Sequence, residues 1–308
     1  MNRPQPVVLG TRGSKLALTQ ANASAARLRT AGLEVEVRII KTTSEHHPDL
    51  PLSVIDQRDV FTRQLDEALL SGEIDLAVHS AKDVATEIPE RSVLAAITER
   101  RDPSDALVSE RGYDVDGLPE GAIVATSSLR RRAQLLHRRP DLSVVEIRGN
   151  VDTRVRKMRE GQADALLLAH AGLERLGLDV PHVVVPPEIM LPAVGQGALA
   201  VAMLEEHPLR KTVHEALDHE ETGKAVLAER AMLNALEGGC RVPVGALGVV
   251  EGSRVRLRGV VVSPDGTLVY RGEAEGEEPG EVGRRLARDL LEQGGAVVLG
   301  EIREVRSR

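Results

Sequence analysis

The chain has 308 residues, enough for two or three domains with hydrophobic cores of their own. It contains only three aromatic residues and has a net charge of −7, which argues against a nucleic-acid-binding protein, because such proteins use aromatic platforms and positive charge. The sequence has no signal-peptide core and no long apolar run, so we expect a cytoplasmic protein without a membrane partner.

Short apolar runs alternate with helical patterns over the first two thirds of the chain, which is typical of parallel α/β sheets. The predicted strands are residues 7–11, 34–41, 74–79, 93–98, 122–126, 143–148, 163–169 and 182–185. The predicted helices are residues 15–30, 60–71, 129–137, 151–161 and 171–176.

The last third predicts a different architecture. A helix over 221–236 is followed by strand patterns at 246–250, 254–262 and 267–272 and by an amphipathic helix over 280–293, which favours a separate α+β domain with a small antiparallel sheet. Residues 99–103 and 191–197 look like two crossover strands. We therefore predict a discontinuous domain 1 (1–98 and 197–217), a domain 2 (99–196) and a domain 3 (218–308).

Two segments pass from a strand into a helix through hydroxyl residues, at 9–14 and at 124–130. Helix capping alone explains the serines and threonines of either segment. Two such turns, each with an arginine beside it, favour an anion-binding cleft between two similar domains.

Polar residues also follow the strand that ends near His79. In open α/β sheets ligands bind at the carboxyl ends of strands, so Asp83 is a candidate acid–base group or cation stabiliser and Lys82 a candidate carboxylate ligand. The alternative is a surface ion pair in a turn. His79 itself is better explained as a structural residue than as a catalytic one.

The segment from Ser127 to Arg159 contains ten basic residues and three acidic ones. Arginine binds carboxylates through two parallel hydrogen bonds, so this segment favours a ligand with several carboxylates. The best candidates for such contacts are Arg130, Arg131, Arg148 and Arg154. A solvated basic helix face is the alternative, and it suits Arg138, Arg139, Arg156 and Arg159 better.

The single cysteine, Cys240, lies between two glycines and Arg241, and a nearby cation favours its thiolate. A buried small apolar side chain is the alternative, but this loop favours a thiol that holds a group covalently. Residues 45–49 (Glu-His-His-Pro-Asp) invite a metal interpretation, yet nothing repeats at ligand spacing, so we expect no metal site.

Seven motifs, ordered along nearly the whole chain, resemble the porphobilinogen deaminase (hydroxymethylbilane synthase) family; they are residues 11–17, 79–83, 101–106, 126–131, 148–154, 192–198 and 237–243. The resemblance implies two domains like periplasmic binding proteins and a third that carries the cysteine. It also implies a transferase of porphyrin and heme biosynthesis. Four porphobilinogen units are deaminated and joined head to tail on a dipyrromethane cofactor, itself in thioether linkage to Cys240. Water then releases linear hydroxymethylbilane.

The resemblance assigns Asp83 as the catalytic aspartate and places Gln20 and Phe61 beside the substrate. Its implied cofactor and substrate contacts are Arg12, Ser14, Ser80, Lys82, Ser127, Ser128, Arg130, Arg131, Arg148, Arg154, Arg175 and Gln196. A monomer is usual for the family, and its product passes to uroporphyrinogen III synthase.

One region departs from the family pattern. Residues 42–45 and 57–61 lack the family's glycines and lysine, although Phe61 is retained, and Glu45 is a weak candidate for the family's aspartate. A rival interpretation is a non-catalytic, two-lobed binding protein for a carboxylate-rich solute. It explains the arginines but neither the cysteine domain nor the missing signal peptide.

Overall fold

The computed structural model describes residues 6–41, 62–236 and 242–307. Within them the chain forms two compact units. The first consists of the described residues up to Arg100 together with Ala198–Gly223, and the second consists of Arg101–Gly197 together with the described residues from Lys224 onward. In these described ranges, no helix is long and apolar enough to cross a membrane.

The first unit contains a five-stranded sheet with the order β2-β1-β3-β10-β4. Its strands are β1 (Val7–Thr11), β2 (Val35–Ile39), β3 (Leu76–Ser80), β4 (Ser92–Ile97) and β10 (Leu199–Leu204). Strand β1 runs parallel to β2 and β3, whereas β10 runs antiparallel to β3 and β4. The helices of this unit are α1 (Lys15–Thr30), α2 (Arg63–Leu70) and α6 (Arg210–Leu217).

Both faces of this first sheet are covered, which explains why its strands are apolar runs. Leu76 on one face packs in a core that also contains Leu28 of α1 and Val213 of α6. Ala77, the next residue, lies on the other face with Leu65 of α2. The alternation follows from the two-residue period of a strand.

The second unit contains a sheet with the equivalent order, β7-β6-β8-β5-β9. Its strands are β5 (Asp105–Val108), β6 (Ile123–Ala125), β7 (Ser143–Val145), β8 (Ala165–Ala169) and β9 (His182–Val185), and its helices are α3 (Leu129–Arg138), α4 (Val151–Lys157) and α5 (His170–Leu176). Strand β6 is parallel to β7 and β8, and β5 is antiparallel to β8 and β9. Each five-stranded sheet therefore includes one antiparallel strand, whereas the alternation of strands and helices in the sequence predicts parallel strands only.

The second unit also contains a three-stranded antiparallel sheet with the order β11-β12-β13. Its strands are β11 (Val244–Glu251), β12 (Arg254–Val262) and β13 (Val269–Gly276), and the helices beside it are α7 (Glu220–Ala235), α8 (Pro279–Leu290) and α9 (Ala296–Ser307). Met232, Leu257 and Leu286 are fully buried in their common core. The predicted fold class is confirmed: two doubly wound α/β sheets and a carboxyl-terminal α+β region.

The turn between β12 and β13 packs against helix α3. Gly266 in this turn has a φ of +79°, and a Cβ atom there would lie 2.5 Å from the backbone nitrogen of His137 and 2.8 Å from the carbonyl oxygen of Ala133. Nδ1 of His137 lies 3.0 Å from the Gly266 carbonyl oxygen. Only glycine combines this left-handed conformation with so close an approach.

Residues 192–195 are joined to the third sheet by buried hydrogen bonds. The fully buried Glu229 of α7 accepts the N–H of Gly195 at 2.7 Å through Oε2 and the N–H of Gly248 in β11 at 2.8 Å through Oε1. The N–H of Ala246 donates to the Pro192 carbonyl oxygen at 2.9 Å. This segment and β11 are therefore fixed to each other within the second unit.

Candidate active site

The carboxyl ends of β1 and β3 lie side by side, because the two strands are parallel neighbours. Thr11 ends β1 and Ser80 ends β3, at the edge where open α/β sheets bind ligands. Five of the predicted site residues follow or end these strands: Arg12, Ser14, Ser80, Lys82 and Asp83.

The predicted capping interaction is present at Ser14. Its Oγ accepts the N–H of Ala17 at 3.3 Å at the start of α1. The buried Thr11 hydroxyl donates to the Ala17 carbonyl oxygen at 3.2 Å. These two bonds fix the path of the chain between β1 and α1, where Arg12 lies.

The structure brings Gln20 and Ser80 together. Nε2 of the buried Gln20 donates to Oγ of Ser80 at 2.9 Å, and Ser80 Oγ lies 3.3 Å from Gln20 Oε1. The pair joins α1 to the end of β3, just before the turn that carries Asp83.

Asp83 ends a single 3₁₀ turn, Ala81–Asp83, directly after β3. The turn is anchored on both sides: Ala81 donates its N–H to the Ala198 carbonyl oxygen at 3.0 Å, and Val84 donates to the Ala81 carbonyl oxygen at 3.3 Å. Ala81 is buried, whereas Lys82 and Asp83 are half-buried. The turn thus holds the Asp83 backbone firmly while its side chain keeps partial access to solvent.

His79 is buried in β3. Burial, and to a lesser extent the charge of Arg12, lowers the pKa of His79 to about 4. The imidazole is therefore neutral at physiological pH, in agreement with a structural role.

The second sheet repeats the arrangement at the ends of β6 and β8, which are also parallel neighbours. Ser128 caps α3 and accepts the N–H of Arg131 at 3.4 Å. The Ser127 hydroxyl donates to the Ile147 carbonyl oxygen. Both predicted strand-to-helix turns therefore begin their helix with a serine cap.

A buried charge cluster lies at this edge, around the first residue of β5. The carboxylate of Asp105 accepts hydrogen bonds from Arg130 Nη1 at 2.7 Å, from Arg131 Nε at 2.9 Å and from Gln196 Nε2 at 2.9 Å. Burial alone raises the pKa of Asp105, but the charges of Arg130 and Arg131, with the hydrogen bonds from Arg130 and Gln196, hold it well below its usual range. The carboxylate therefore stays ionised, and the cluster has one excess positive charge.

The other predicted arginines donate to nearby oxygens in the same unit. Nε of Arg148 lies 2.9 Å from Glu146, and Nε of Arg154 donates to the Gly149 carbonyl oxygen at 2.7 Å. Nη2 of Arg175 donates to the Gly197 carbonyl oxygen at 2.6 Å. Burial, with a smaller effect of the Arg101 charge, lowers the pKa of Arg175 to about 10. Arg175 therefore keeps its positive charge at neutral pH.

Two family models match the chain. The porphobilinogen deaminase dipyrromethane-cofactor-binding domain matches residues 7–212, and the porphobilinogen deaminase C-terminal domain matches residues 224–292. The chain belongs to the porphobilinogen deaminase family.

Similar curated proteins extend over nearly the full length. Porphobilinogen deaminase of Rubrobacter xylanophilus is 68% identical over 97% of this chain and 98% of its own length. That of Shouchella clausii is 48% identical over 96% of this chain and 97% of its own. Among solved structures, the methionine-binding protein MetQ aligns with 71% of this chain and 92% of its own at 15% identity, with a TM-score of 0.45, which is too low to add to the assignment.

Porphobilinogen deaminases are transferases of porphyrin and heme biosynthesis. They deaminate four porphobilinogen units and join them head to tail on a dipyrromethane primer, and this is the activity of the chain. The rival interpretation as a non-catalytic binding protein is therefore wrong.

The described residues fit a dipyrromethane cofactor, whose pyrroles carry carboxylates. The buried cluster at Asp105 has an excess positive charge, and Nε of Arg130 is buried with no acceptor among the described residues. A buried, unpaired donor next to excess positive charge is a suitable place for a ligand carboxylate. Cys240, Phe61, Glu45 and the atypical segment 44–61 lie outside the described residues.

Asp105 is the residue that sequence reasoning missed. It belongs to the family motif at 101–106, yet no role was inferred for it there. The sequence does contain a signal for this role, because Asp105 directly precedes the apolar run at residues 106–108. An aspartate that begins a buried strand needs a cationic partner.

Proposed function

We propose that Asp83 is the catalytic carboxylate of this deaminase, that Cys240 attaches the cofactor, and that the arginines at the edge of the second sheet bind pyrrole carboxylates. The observation that carries this proposal is the anchored Ala81–Asp83 turn at the carboxyl end of a central strand. The backbone that carries this carboxylate is therefore in place before substrate arrives.

The chemistry needs such a carboxylate. Positive charge develops on the pyrrole of porphobilinogen as its amine leaves, and a fixed carboxylate stabilises that charge more in the transition state than in the ground state. Asp83 can also hold the proton that the departing amine takes up. Lys82, beside it in the same turn, is suited to bind a substrate carboxylate.

The arginines have a different task. When bound, the cofactor supplies the pyrrole carbon to which the first porphobilinogen is joined. Each pyrrole carries an acetate and a propionate, and guanidinium groups match carboxylates in a planar, two-bond geometry. Arg154 lies on α4 and Arg175 on α5, and Arg148 lies in the loop before α4, so the three are suited to contact different carboxylates.

We also propose the three-domain division 1–98 with 197–217, 99–196 and 218–308, supported by the three separate sheets. The enzyme is proposed to act as a cytoplasmic monomer that passes hydroxymethylbilane to uroporphyrinogen III synthase. Light scattering of the purified full chain tests the oligomeric state, and a stable dimer would contradict a monomer.

Intact-protein mass spectrometry and turnover test the site assignments. Protein from cells that make porphobilinogen should carry a two-pyrrole mass excess, and Cys240→Ser should not. Asp83→Asn should keep the mass excess but lower kcat by about 10²- to 10⁴-fold, since a positioned acid–base or charge-stabilising group contributes roughly that much.

Glu90→Gln, at an exposed position between β3 and β4, is the matched control and should turn over normally. A bare wild-type chain would refute the cofactor attachment. Near-normal turnover by Asp83→Asn would remove Asp83 from the mechanism.

A further inference from the structure

The charge cluster at the start of β5 is far more enclosed than a surface ion pair. Asp105 is fully buried, and the Arg130 and Arg131 side chains are 5% and 7% exposed. Arg130 faces Asp105 through Nη1 at 2.7 Å and Nη2 at 3.3 Å, and Arg131 faces it through Nε at 2.9 Å and Nη2 at 2.8 Å. One carboxylate therefore orients two guanidinium groups.

Backbone oxygens occupy further donors of the same arginines. Nη1 of Arg130 also donates to the Leu191 carbonyl oxygen at 2.7 Å, and Nη1 of Arg131 donates to the Leu167 carbonyl oxygen at 3.1 Å. Gln196 donates to Asp105 at 2.9 Å and to the Pro103 carbonyl oxygen at 2.7 Å, which holds the carboxylate itself in place. The rotation of both guanidinium planes is fixed by these bonds.

Within the described residues, this arrangement leaves one donor of Arg130 unused. Its Nε is buried and has no acceptor in the part of the chain that the structure describes. Asp105 is the one described carboxylate that pairs with either guanidinium, so the cluster has one uncompensated positive charge. Buried charges and buried donors are normally paired, and a single carboxylate satisfies both needs here.

We propose that Asp105 is a positioning residue of the deaminase: it occupies one edge of each guanidinium and directs the Nε side of Arg130 toward one pyrrole carboxylate. Arg130 and Arg131 together thus take up a single carboxylate. This inference rests on the proposed role of the arginines in cofactor binding and adds the residue that orients them.

The test is the rate at which full-length apoprotein gains the two-pyrrole mass when porphobilinogen is added, with the melting temperature measured on the same samples. Asp105→Asn should gain the mass about 10- to 100-fold more slowly, because one charge-assisted contact is lost from the loading step. The matched control is Asp102→Asn in the same segment, which contacts Ser104 and His170, and it should load at the wild-type rate.

A double-mutant cycle separates positioning from a merely structural role. If Asp105 acts through Arg130, Asp105→Asn combined with Arg130→Gln should load no more slowly than Arg130→Gln alone. Slowing equal to the product of the two single effects would overturn the proposal, as would wild-type loading by Asp105→Asn.

If Asp105→Asn does not fold, Asp105→Glu replaces it, because it keeps the charge and moves the carboxylate by one methylene group. Slow loading at a wild-type melting temperature supports positioning, and wild-type loading overturns it. A wild-type chain that never gains the mass would refute the proposed function and this inference together, whereas normal loading by wild type and variants alike refutes the inference alone.

Discussion

At the level of single residues, His79 and Asp105 show two outcomes of burying an ionisable group. His79 becomes neutral, because burial and the nearby Arg12 charge both disfavour the imidazolium. Asp105 stays charged, because two guanidinium groups more than offset the effect of burial. Burial therefore leaves one group neutral and the other ionised, and the charges of the neighbouring side chains decide which state results.

The neutral state of His79 predicts a pH dependence of stability. Its pKa is about 4 when folded and 6.5 when unfolded, so the unfolded chain binds the proton more readily. The stability that His79 contributes is therefore present above pH 6.5 and is lost as the pH falls toward 4. Between pH 7 and pH 5 this loss is about 2 kcal/mol.

Urea unfolding of wild type and His79→Gln at both pH values checks this prediction. The variant lacks the titrating group, so its decrease in unfolding free energy should be smaller than that of wild type by about 2 kcal/mol. Equal decreases in the two proteins would show that His79 does not titrate in this way.

Residues fixed by local rules were predictable, and those fixed by distant contacts were not. The serine caps at Ser14 and Ser128 follow from the strand-to-helix pattern and are present. The partnership of Asp105 with Gln196 spans 91 positions, and no local pattern marks it. The role of Asp83 stays a prediction, since family motif and turn geometry support it without testing it.

At the level of elements, the sequence predicted α1, β1, β9 and β12 with the bounds observed. Strands β5 and β10 were missed, because each is a short apolar run beside a crossover segment and no helix separates it from the strand that precedes it in the chain. Helix α9 was missed because a glycine pair such as Gly294 and Gly295 normally ends a helix, whereas here the chain turns at Gly294 and continues as a helix.

The turn between β12 and β13 gives a prediction at this scale. Gly266→Ala should reduce the unfolding free energy by about 2–4 kcal/mol, because the new Cβ adds both left-handed backbone strain and a collision with α3. Chemical denaturation with an unchanged slope measures the loss.

Gly252→Ala is the matched control, in the turn between β11 and β12. Gly252 has a φ of +65°, and a Cβ atom added there would meet no other atom within 4 Å, so only the backbone strain of about 1 kcal/mol applies. Equal losses in the two variants would argue against a tight contact between the Gly266 turn and α3.

At the level of the whole molecule, the second and third sheets belong to one compact unit although separate family models match the regions that contain them. The contacts at Gly266 and Glu229 supply the physical reason, since Gly266 of the third sheet packs against α3 and Glu229 joins Gly248 of β11 to Gly195. We therefore expect these two sheets to lose structure together.

Glu229→Gln tests this coupling. The amide keeps one acceptor oxygen and replaces the other by an NH₂ group that cannot accept a backbone N–H, so the change should cost about 2–3 kcal/mol at this fully buried position. Hydrogen exchange should increase together in peptides from β5–β9 and β11–β13, while peptides from β1–β4 stay protected.

The exposed Glu221→Gln, in the first turn of the same helix, is the control and should leave exchange unchanged. Faster exchange confined to β11–β13 would show that the third sheet opens independently.

The antiparallel strand of each five-stranded sheet also has a consequence for protein synthesis. Strands β5 to β9 are consecutive, so the second sheet has all its strands once Val185 has left the ribosome. The first sheet still lacks β10, the strand that separates β3 from β4, until Leu204 is made. The first sheet, whose strands begin to be translated first, is therefore completed only after the second, and the nascent chain holds β3 and β4 without their shared partner for as long as the second sheet is being made.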